Sequence, residues 1–436
     1  MPSSGIKGMI SSFFRSPAFA VAAALSLRII FLWLSHYHED RSHPAFETVG
    51  LESKLLALSL AHGKGFSGPY PGYDLITACI APLYPFLWAA GIKLLHVGSF
   101  GATLFAQVMN CGFSAATGWP IFAIGKRVFG EKIGLASAWL WAFFPYSILL
   151  ALEWTWDQSL AALTLALIVW ATFGLARSTS PLPWTGYGLL WGFAVLVNPT
   201  LCLLLPVFLG WLVVRRGGFR GPAFALAARA VLVFALAVLP WTIRNYFAID
   251  GVVFVKSNFG MEFWLGNNPA VKDVYAPELH PASNMSERML LVFSGEPNYN
   301  RAKERQAVSY IEKNPRRFMK NLCDRFLDTW AATYDSRVDP WILALHVSRA
   351  DVLFCATFSI LSFAGLILAL RSKWMDSLPL AMCLVLFPIP YYITHTALRY
   401  RHPIDPSMTI FTVYAVARLA ALITTRLTAR APEPRP

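Results

Sequence analysis

The chain has 436 residues, 56% of them hydrophobic and only 14% charged, with a formal net charge of +13 and a mean hydropathy of +0.50. A soluble domain of this size would carry roughly a quarter charged residues, so the composition excludes a single large soluble enzyme and indicates a polytopic membrane protein. The basic excess lies in short loops between apolar runs, the pattern of positive-inside topology, and calls for no nucleic acid.

Apolar runs of about 17 to 25 residues, the length that crosses ~30 Å of hydrocarbon, divide the chain. Lys7 and Arg15 precede the first run, residues 17–34, and no small-residue cleavage site follows, so it reads as a retained span. Next comes "ESKLLALSLAHGK", which carries Glu52, Lys54, His62 and Lys64 and is too short and too polar to cross a bilayer; an amphipathic helix in the interface is expected. "APLYPFLWAAGIKLLH" reads as a second such helix, lying in the interface or dipping in, because Lys93 and His96 follow so few apolar residues. Spans are expected from near Thr103 to "GKRVFGEK", at 134–150 and, after the tight loop "EWTWDQ", at 159–175. Two short runs, 187–197 and 201–214, are separated by "NPT", whose proline forces a break. A span at 224–241 precedes a long polar segment, and spans at 352–370, 378–394 and 408–423 follow it.

Loop charge sets the expected topology. The sets Lys7/Arg15, Lys126/Arg127/Lys132, Arg177, Arg215/Arg216/Arg220, Arg371/Lys373 and Arg426/Arg430 fall on one side only if "APLYPFLW" is not counted as a span. This favours an all-α polytopic membrane protein with about ten transmembrane helices, amphipathic juxtamembrane helices and both termini cytoplasmic. The expected divisions are a transmembrane module at 1–243 with its first extracytoplasmic loop at 35–102, a small extracytoplasmic domain at 244–350, C-terminal helices at 351–425 and a cytoplasmic tail at 426–436. Within the small domain, "AKERQAVSYIEK" and, after the start signal Pro315, "RRFMKNLCDRFLDTW" have helical periodicity. The six cysteines show no C-x-x-C spacing and read as small core hydrophobes, neither a zinc site nor a disulfide framework.

Charge on the extracytoplasmic side gathers at helix ends, and ionisable groups this close to hydrocarbon are functional candidates. Glu52 opens the amphipathic helix; its plain alternative is an interfacial anchor with a solvated carboxylate. Asp157, with Glu153 as a weaker competitor, ends a loop before a span, where capping of the helix N-terminus is the alternative. Arg244, Arg399 and Arg401, the last two followed by His402 and Asp405, suit a phosphate through their bidentate guanidinium forks better than interfacial snorkelling does. Asn267 and Asn268 in "SNFGMEFWLGNNP" suit either a turn contacting polar hydroxyls or a plain turn.

The stretches "E…A…A-x-G-x-GFS…TA…PLYP" at 52–85, "PWTIRNY" with "SNFGMEFWLGNNP" at 240–269, "GEPNY" followed by "A…I…NP" at 295–315 and "RYRHPIDP" at 399–406 together resemble the bacterial ArnT-like and protein-mannosyltransferase-like glycosyltransferases. The resemblance implies a GT-C fold and inverting transfer of a sugar from a polyprenyl-phosphate donor to an envelope acceptor, with no cofactor or metal, at the plasma membrane. Carried over by position, it implies Glu52 and Asp157 as catalytic carboxylates and Arg244, Arg399 and Arg401 as the donor-phosphate clamp; with a sugar as substrate, Asn267, Asn268 and His402 are the expected sugar or acceptor contacts. Two departures keep the sugar and acceptor of the lipid A aminoarabinose transferases from carrying over: no adjacent acidic pair opens the first-loop helix, and Ile80 and Ala81, not a lysine, precede Pro82. A lipid flippase or transporter is the rival class; inverted repeats and helices broken at the midplane would favour it.

Overall fold

The computed structural model describes residues 16–38, 50–72, 74–153, 155–218, 222–272, 274–333 and 349–428. The expected basic flank at Lys7 and Arg15, Arg220, the end of the 244–350 segment and most of the C-terminal tail lie outside the described residues.

The described chain is helical. In order run α1 (Pro17–His38), α2 (Leu51–Ala61), α3 (Leu83–Leu95), α4 (Ser99–Ala116), α5 (Gly118–Phe129), α6 (Glu131–Phe143), α7 (Pro145–Glu153), α8 (Gln158–Leu175), α9 (Pro181–Val197) and, after a 3-10 turn at Pro199–Leu204, α10 (Leu205–Arg215). Then come α11 (Pro222–Ile249), α12 (Phe259–Gly266), α13 (Met285–Ser294), α14 (Glu296–Lys313), α15 (Pro315–Ala331), α16 (Arg349–Leu386), α17 (Ile389–Ile393), α18 (Leu398–Arg401) and, after the 3-10 turn His402–Ile404, α19 (Asp405–Thr428). Prolines open α1, α7, α9, α11 and α15, where the missing N–H costs nothing and φ is already helical.

Five stretches are long and apolar enough to cross a membrane: Pro17–His36, Gln158–Leu175, Pro222–Ile249, Arg349–Ile393 and Leu398–Thr425. The pair α6–α7, bent by 46°, makes a sixth if it is one span. Among the described residues, length and composition therefore do not reach the ten spans expected from loop charge. The shortfall lies in interruptions. The run expected from Thr103 divides at Thr117 into α4 and α5, "NPT" separates α9 from the 3-10 turn, and α16 is non-helical at Lys373 (φ −146°, ψ 46°). Because 45 helical residues would extend ~68 Å, about twice the hydrocarbon thickness, the break at Lys373 lets Arg349–Ile393 hold both runs expected there.

The main core is aromatic. Trp141, Trp184, Trp191, Phe208, Phe387 and Phe411 are fully buried between α5, α6, α8, α9, α10, α16 and α19. Arg28 in α1 is also fully buried, and it donates to Ser114 Oγ (2.9 Å), Ser147 Oγ (2.7 Å) and the carbonyls of Ala24 (2.9 Å), Trp141 (3.3 Å) and Ala142 (3.4 Å). A charge so deep persists only with such full hydrogen bonding, and here it ties α1 to its neighbours. The short helices α2 and α3 cover α4 and α8 through a second core around Trp88, Tyr84 and Ala57, with the Trp88 indole donating to Ala102 O at 2.7 Å. α12 to α15 form the helical part of the segment after α11, with the two helices expected within it at Glu296–Lys313 and Pro315–Ala331.

Candidate active site

The site begins at the entrance to α2. Gly50 adopts φ +72°, and a Cβ there would stand 2.2 Å from Thr155 Oγ1 and 2.7 Å from Thr155 O. Only glycine fits both the left-handed backbone and the close approach, and the result is that the first turn of α2 lies against the loop leading to Asp157. Glu52 in that turn is about one-fifth exposed (21%) and faces His280 Nε2 at 3.7 Å. Burial raises its pKa from the ordinary carboxylate value and Glu262 adds to the rise, while His280, Lys256 and Arg399 oppose it. His280 is in turn held edge-on against Tyr70, with ring centroids 5.7 Å apart.

Asp157 occupies the N-cap position of α8, yet its side chain makes no capping hydrogen bond. Its Oδ2 instead accepts from Asn198 Nδ2 at 3.1 Å. Burial raises its pKa, against Lys256, Asn198 and Arg399. The capping alternative thus lacks its defining bond, and the carboxylate is left to another use.

A third carboxylate, Glu262 in α12, completes the group. It accepts from Asn258 Nδ2 at 2.5 Å and lies 2.6 Å from His395 Nε2, whose ring stacks on Tyr275 at 4.8 Å. Burial works to raise its pKa, but the His395 hydrogen bond and charge, with Lys256 and His280, outweigh it and bring the value down to about 2. The α12 backbone is jammed into place, since a Cβ on Gly260 would meet Asn300 O at 1.9 Å and one on Gly266 would meet Thr394 O at 1.7 Å. Arg325, fully buried, reinforces this by donating to Gly266 O, Val274 O (3.1 Å), Tyr392 O (3.1 Å) and Ile393 O (3.0 Å).

Two cations act on both Glu52 and Asp157: Lys256, from the loop before α12, and Arg399 in α18. Lys256 makes no direct hydrogen bond or ion pair among the described residues. Arg399 is half-buried, with its guanidinium 4.6 Å from the Trp156 ring and 4.8 Å from the Tyr400 ring.

The other residues singled out in the sequence take different places. Arg244 donates to Thr77 O (2.7 Å), Phe66 O (3.2 Å) and Asn245 Oδ1 (3.1 Å), with its guanidinium 4.7 Å from the Trp241 ring, so it ties the 66–77 loop to α11. Arg401 and His402 are 2% and 0% exposed, inside the bundle rather than on the site. Arg401 bonds Asp405 Oδ1 (3.0 Å), Thr329 O (3.2 Å) and Ser359 Oγ (3.3 Å), and His402 bonds Asp405 Oδ2 (3.0 Å) and stacks on Trp141. Asn267 bonds Phe263 O and Ile393 O, both at 2.9 Å; Asn268 bonds Trp264 O (2.8 Å) and the Ala270 N–H (2.7 Å). These amides build the turn after α12, which was the plain alternative for them.

Residue-type reasoning passed over Lys256, Glu262, His280, His395 and Glu296. Glu262 stands inside the "SNFGMEFWLGNNP" block and Lys256 immediately before it, so the block was visible while these charged residues were not assigned. Glu296 is 5% exposed and takes hydrogen bonds from Thr77 Oγ1 (2.6 Å), the Ala78 N–H (3.0 Å) and Ser257 Oγ, which latches the 66–78 loop to the loop bearing Lys256. Among the described residues, no three His, Cys, Asp or Glu side chains are grouped as metal ligands.

Comparison with known proteins agrees with this architecture. The family model of dolichyl-phosphate-mannose-protein mannosyltransferases matches residues 80–241. No curated protein matches the chain by sequence. The archaeal oligosaccharyltransferase AglB from Archaeoglobus fulgidus, in complex with an inhibitory peptide and a dolichol-phosphate, superposes with a TM-score of 0.56 at 14% identity, over 96% of this chain and 52% of its own. An Archaeoglobus fulgidus oligosaccharyltransferase with zinc and sulfate gives 0.56 at 14% identity, over 94% and 50%. ArnT from Cupriavidus metallidurans bound to undecaprenyl phosphate gives 0.33 at 12% identity, over 95% and 81%, too low to establish a shared architecture. The chain spans about half the length of the oligosaccharyltransferases it resembles. The chain is thus an all-helical membrane protein with a GT-C-type fold, and its residues 80–241 are similar to the mannosyltransferase family.

Proposed function

We propose that the chain transfers a sugar from a polyprenyl-phosphate donor to an extracytoplasmic acceptor, with inversion at the anomeric carbon. The observation that carries this reading is the close approach of Gly50 to Thr155, which sets the Glu52 turn against the loop to Asp157, with Lys256 and Arg399 acting on both carboxylates. The donor class is supported by the matched family, whose name specifies dolichyl-phosphate-mannose, and by the dolichol-phosphate in the complex of the archaeal neighbour.

In this mechanism Glu52 accepts the proton of the acceptor nucleophile. The freed electron pair attacks the anomeric carbon through an oxocarbenium-like state, and the bond from that carbon to the phosphate oxygen breaks. The polyprenyl phosphate leaves with that electron pair, and Arg399 and Lys256 stabilise the charge that develops on it. Asp157, held by Asn198, orients the acceptor. The raised pKa of Glu52 suits a base, since its conjugate acid is then closer in strength to the group it deprotonates. Arg244 and Arg401, the other members of the clamp suggested by the sequence, spend their donors on protein carbonyls and Asp405 and enter this proposal only as supports. In orientation, α2, the Asp157 loop and the segment after α11 face away from the cytoplasm, as loop charge favours.

The test is turnover by the purified chain in liposomes, supplied with a short-chain polyprenyl-phosphate hexose and a cell-envelope extract, with release of polyprenyl phosphate followed by mass spectrometry. Release that depends on both the extract and Glu52 is the expected result. Donor that binds but is returned intact, with every envelope fraction, would overturn the proposal.

A further inference from the structure

At the opposite end of α8 from Asp157, ~27 Å away at 1.5 Å per residue, a cavity of about 600 Å³ opens between α5, α8 and α9. Its size lies in the range of about 300–1,000 Å³ that holds small ligands. Two features define it. The walls are apolar and aromatic, with Trp170 on one side and Tyr187 on the other, and the rim carries Arg127 from the last turn of α5 and Arg177 just beyond α8. Gly174 and Gly186 face the space from α8 and α9, and a Cβ at either would meet nothing within 4 Å.

The state of the cations at this end gives the cavity its meaning. Lys126 pairs with Glu131 at 3.2 Å and Arg215 with Asp376 at 3.0 Å. Arg216 donates to Ser178 O at 2.5 Å and Leu175 O at 3.2 Å, and Lys373 donates to Val128 O at 2.7 Å. Arg127, Arg177, Lys132 and Arg371 have no such partner among the described residues, and of these Arg127 and Arg177 line the cavity. Two uncommitted guanidinium groups over an apolar slot at the end of a membrane span match the phosphate and acyl chain of an anionic lipid.

We propose that this cavity binds an anionic glycerophospholipid, with the phosphate on Arg127 and Arg177 and an acyl chain between Gly174 and Gly186. The site is separate from the carboxylate cluster, so it stands whether or not the transfer reaction does. Zwitterionic lipid fits less well, because its ammonium group would meet two guanidinium charges with no carboxylate on the cavity wall to receive it.

Native mass spectrometry of the full chain, delipidated and then exposed to vesicles of phosphatidylglycerol, phosphatidylcholine or polyprenyl phosphate, tests the assignment. Wild-type protein should retain phosphatidylglycerol about tenfold more than phosphatidylcholine, and the Arg127→Ala/Arg177→Ala variant should lose that preference. Gly186→Leu, which fills the slot while keeping both arginines, should lose phosphatidylglycerol as well. A thermal unfolding scan accompanies each variant, and if Gly186→Leu does not fold, Gly174→Leu provides the same steric block from the facing helix. Equal phosphatidylglycerol retention by wild-type and folded variants, or equal retention of the two phospholipids, overturns the proposal. Displacement of phosphatidylglycerol from these residues by polyprenyl phosphate would assign the cavity to the donor lipid and overturn it too.

Discussion

The side chain of Asn198 donates from Nδ2 to Asp157 Oδ2 at 3.1 Å and accepts the Thr200 N–H on Oδ1, also at 3.1 Å. The residue that ends α9 ahead of Pro199 is thereby the one that fixes a buried carboxylate 41 positions earlier. A helix break visible as a proline in the sequence acquires its use only through this contact.

Asp157→Asn is therefore expected to lower transfer by about ten- to a hundredfold, in keeping with loss of one oriented polar group at a reacting centre. Its thermal midpoint should stay level or rise, because the raised pKa means that the ionised form is held at a cost in the folded state. Kinetics beside a melting curve checks this. Activity close to wild type would return Asp157 to a merely structural place, as the anchor for Asn198.

Glu52→Gln should abolish transfer, by about two to four orders of magnitude, with donor binding retained. The amide keeps the size of the carboxylate but cannot take a proton. In the wild-type protein, the acid limb of the proposed transfer's pH–rate profile should lie above the ordinary carboxylate range, because burial raises the Glu52 pKa and the base works only when ionised. A limb at an ordinary glutamate pKa, or full activity in the variant, removes Glu52 from the role of base.

Arg399 and Arg401 should separate cleanly. Arg399→Lys keeps the charge but loses the fork, so donor affinity should fall about tenfold with little change in melting temperature. Arg401→Ala leaves Asp405, buried at 2% exposure, without its guanidinium partner and with only His402 against it; breaking a buried pair typically costs about 3–5 kcal/mol, so a large drop in stability is expected before any effect on donor binding can be read. Scanning calorimetry and donor titration on both variants distinguish the two roles.

Glu262 should show its contribution in acid. Its pKa, lowered from 4.5 to about 2, means that its pairing with His395 adds stability above the ordinary carboxylate range and that this is lost as pH falls toward about 2. Glu262→Gln should be less stable than wild type at neutral pH, with the difference shrinking between about pH 5 and pH 2. Parallel melting curves across that window would show the effect, and a constant offset would contradict it.

Asn298 in α14 is exposed and offers a test of orientation. In a background carrying Cys323→Ser, which removes the exposed native thiol of the same segment, Asn298→Cys should react with a membrane-impermeant maleimide in intact cells. Protection until the membrane is opened would place the segment on the cytoplasmic side and move the proposed site with it.

Much of the architecture was legible because it depends on local properties. Proline starts and the 3.6-residue period of 302–313 and 316–330 are written along the chain and the corresponding helices form, whereas the apolar runs become helices that break at Thr117, at Phe144 and at Lys373. Glu52 and Asp157 stood out as candidates for a similar reason: they stand at polar boundaries of apolar segments, where a charge is conspicuous. The cations were not. Arg399 and Arg401 look like one clamp in "RYRHPIDP", but two residues along a helix differ by about 200° in direction. One guanidinium consequently lies beside Trp156 near the acids, while the other enters the bundle to meet Asp405. Lys256, Glu262 and His395 are joined to the site only by the close packing of Gly260 and Gly266 against Asn300 and Thr394 and by the Glu296 latch. Segment identity follows from hydropathy within a window of residues, whereas which charge faces which depends on contacts between segments more than a hundred residues apart, and those only the tertiary structure decides.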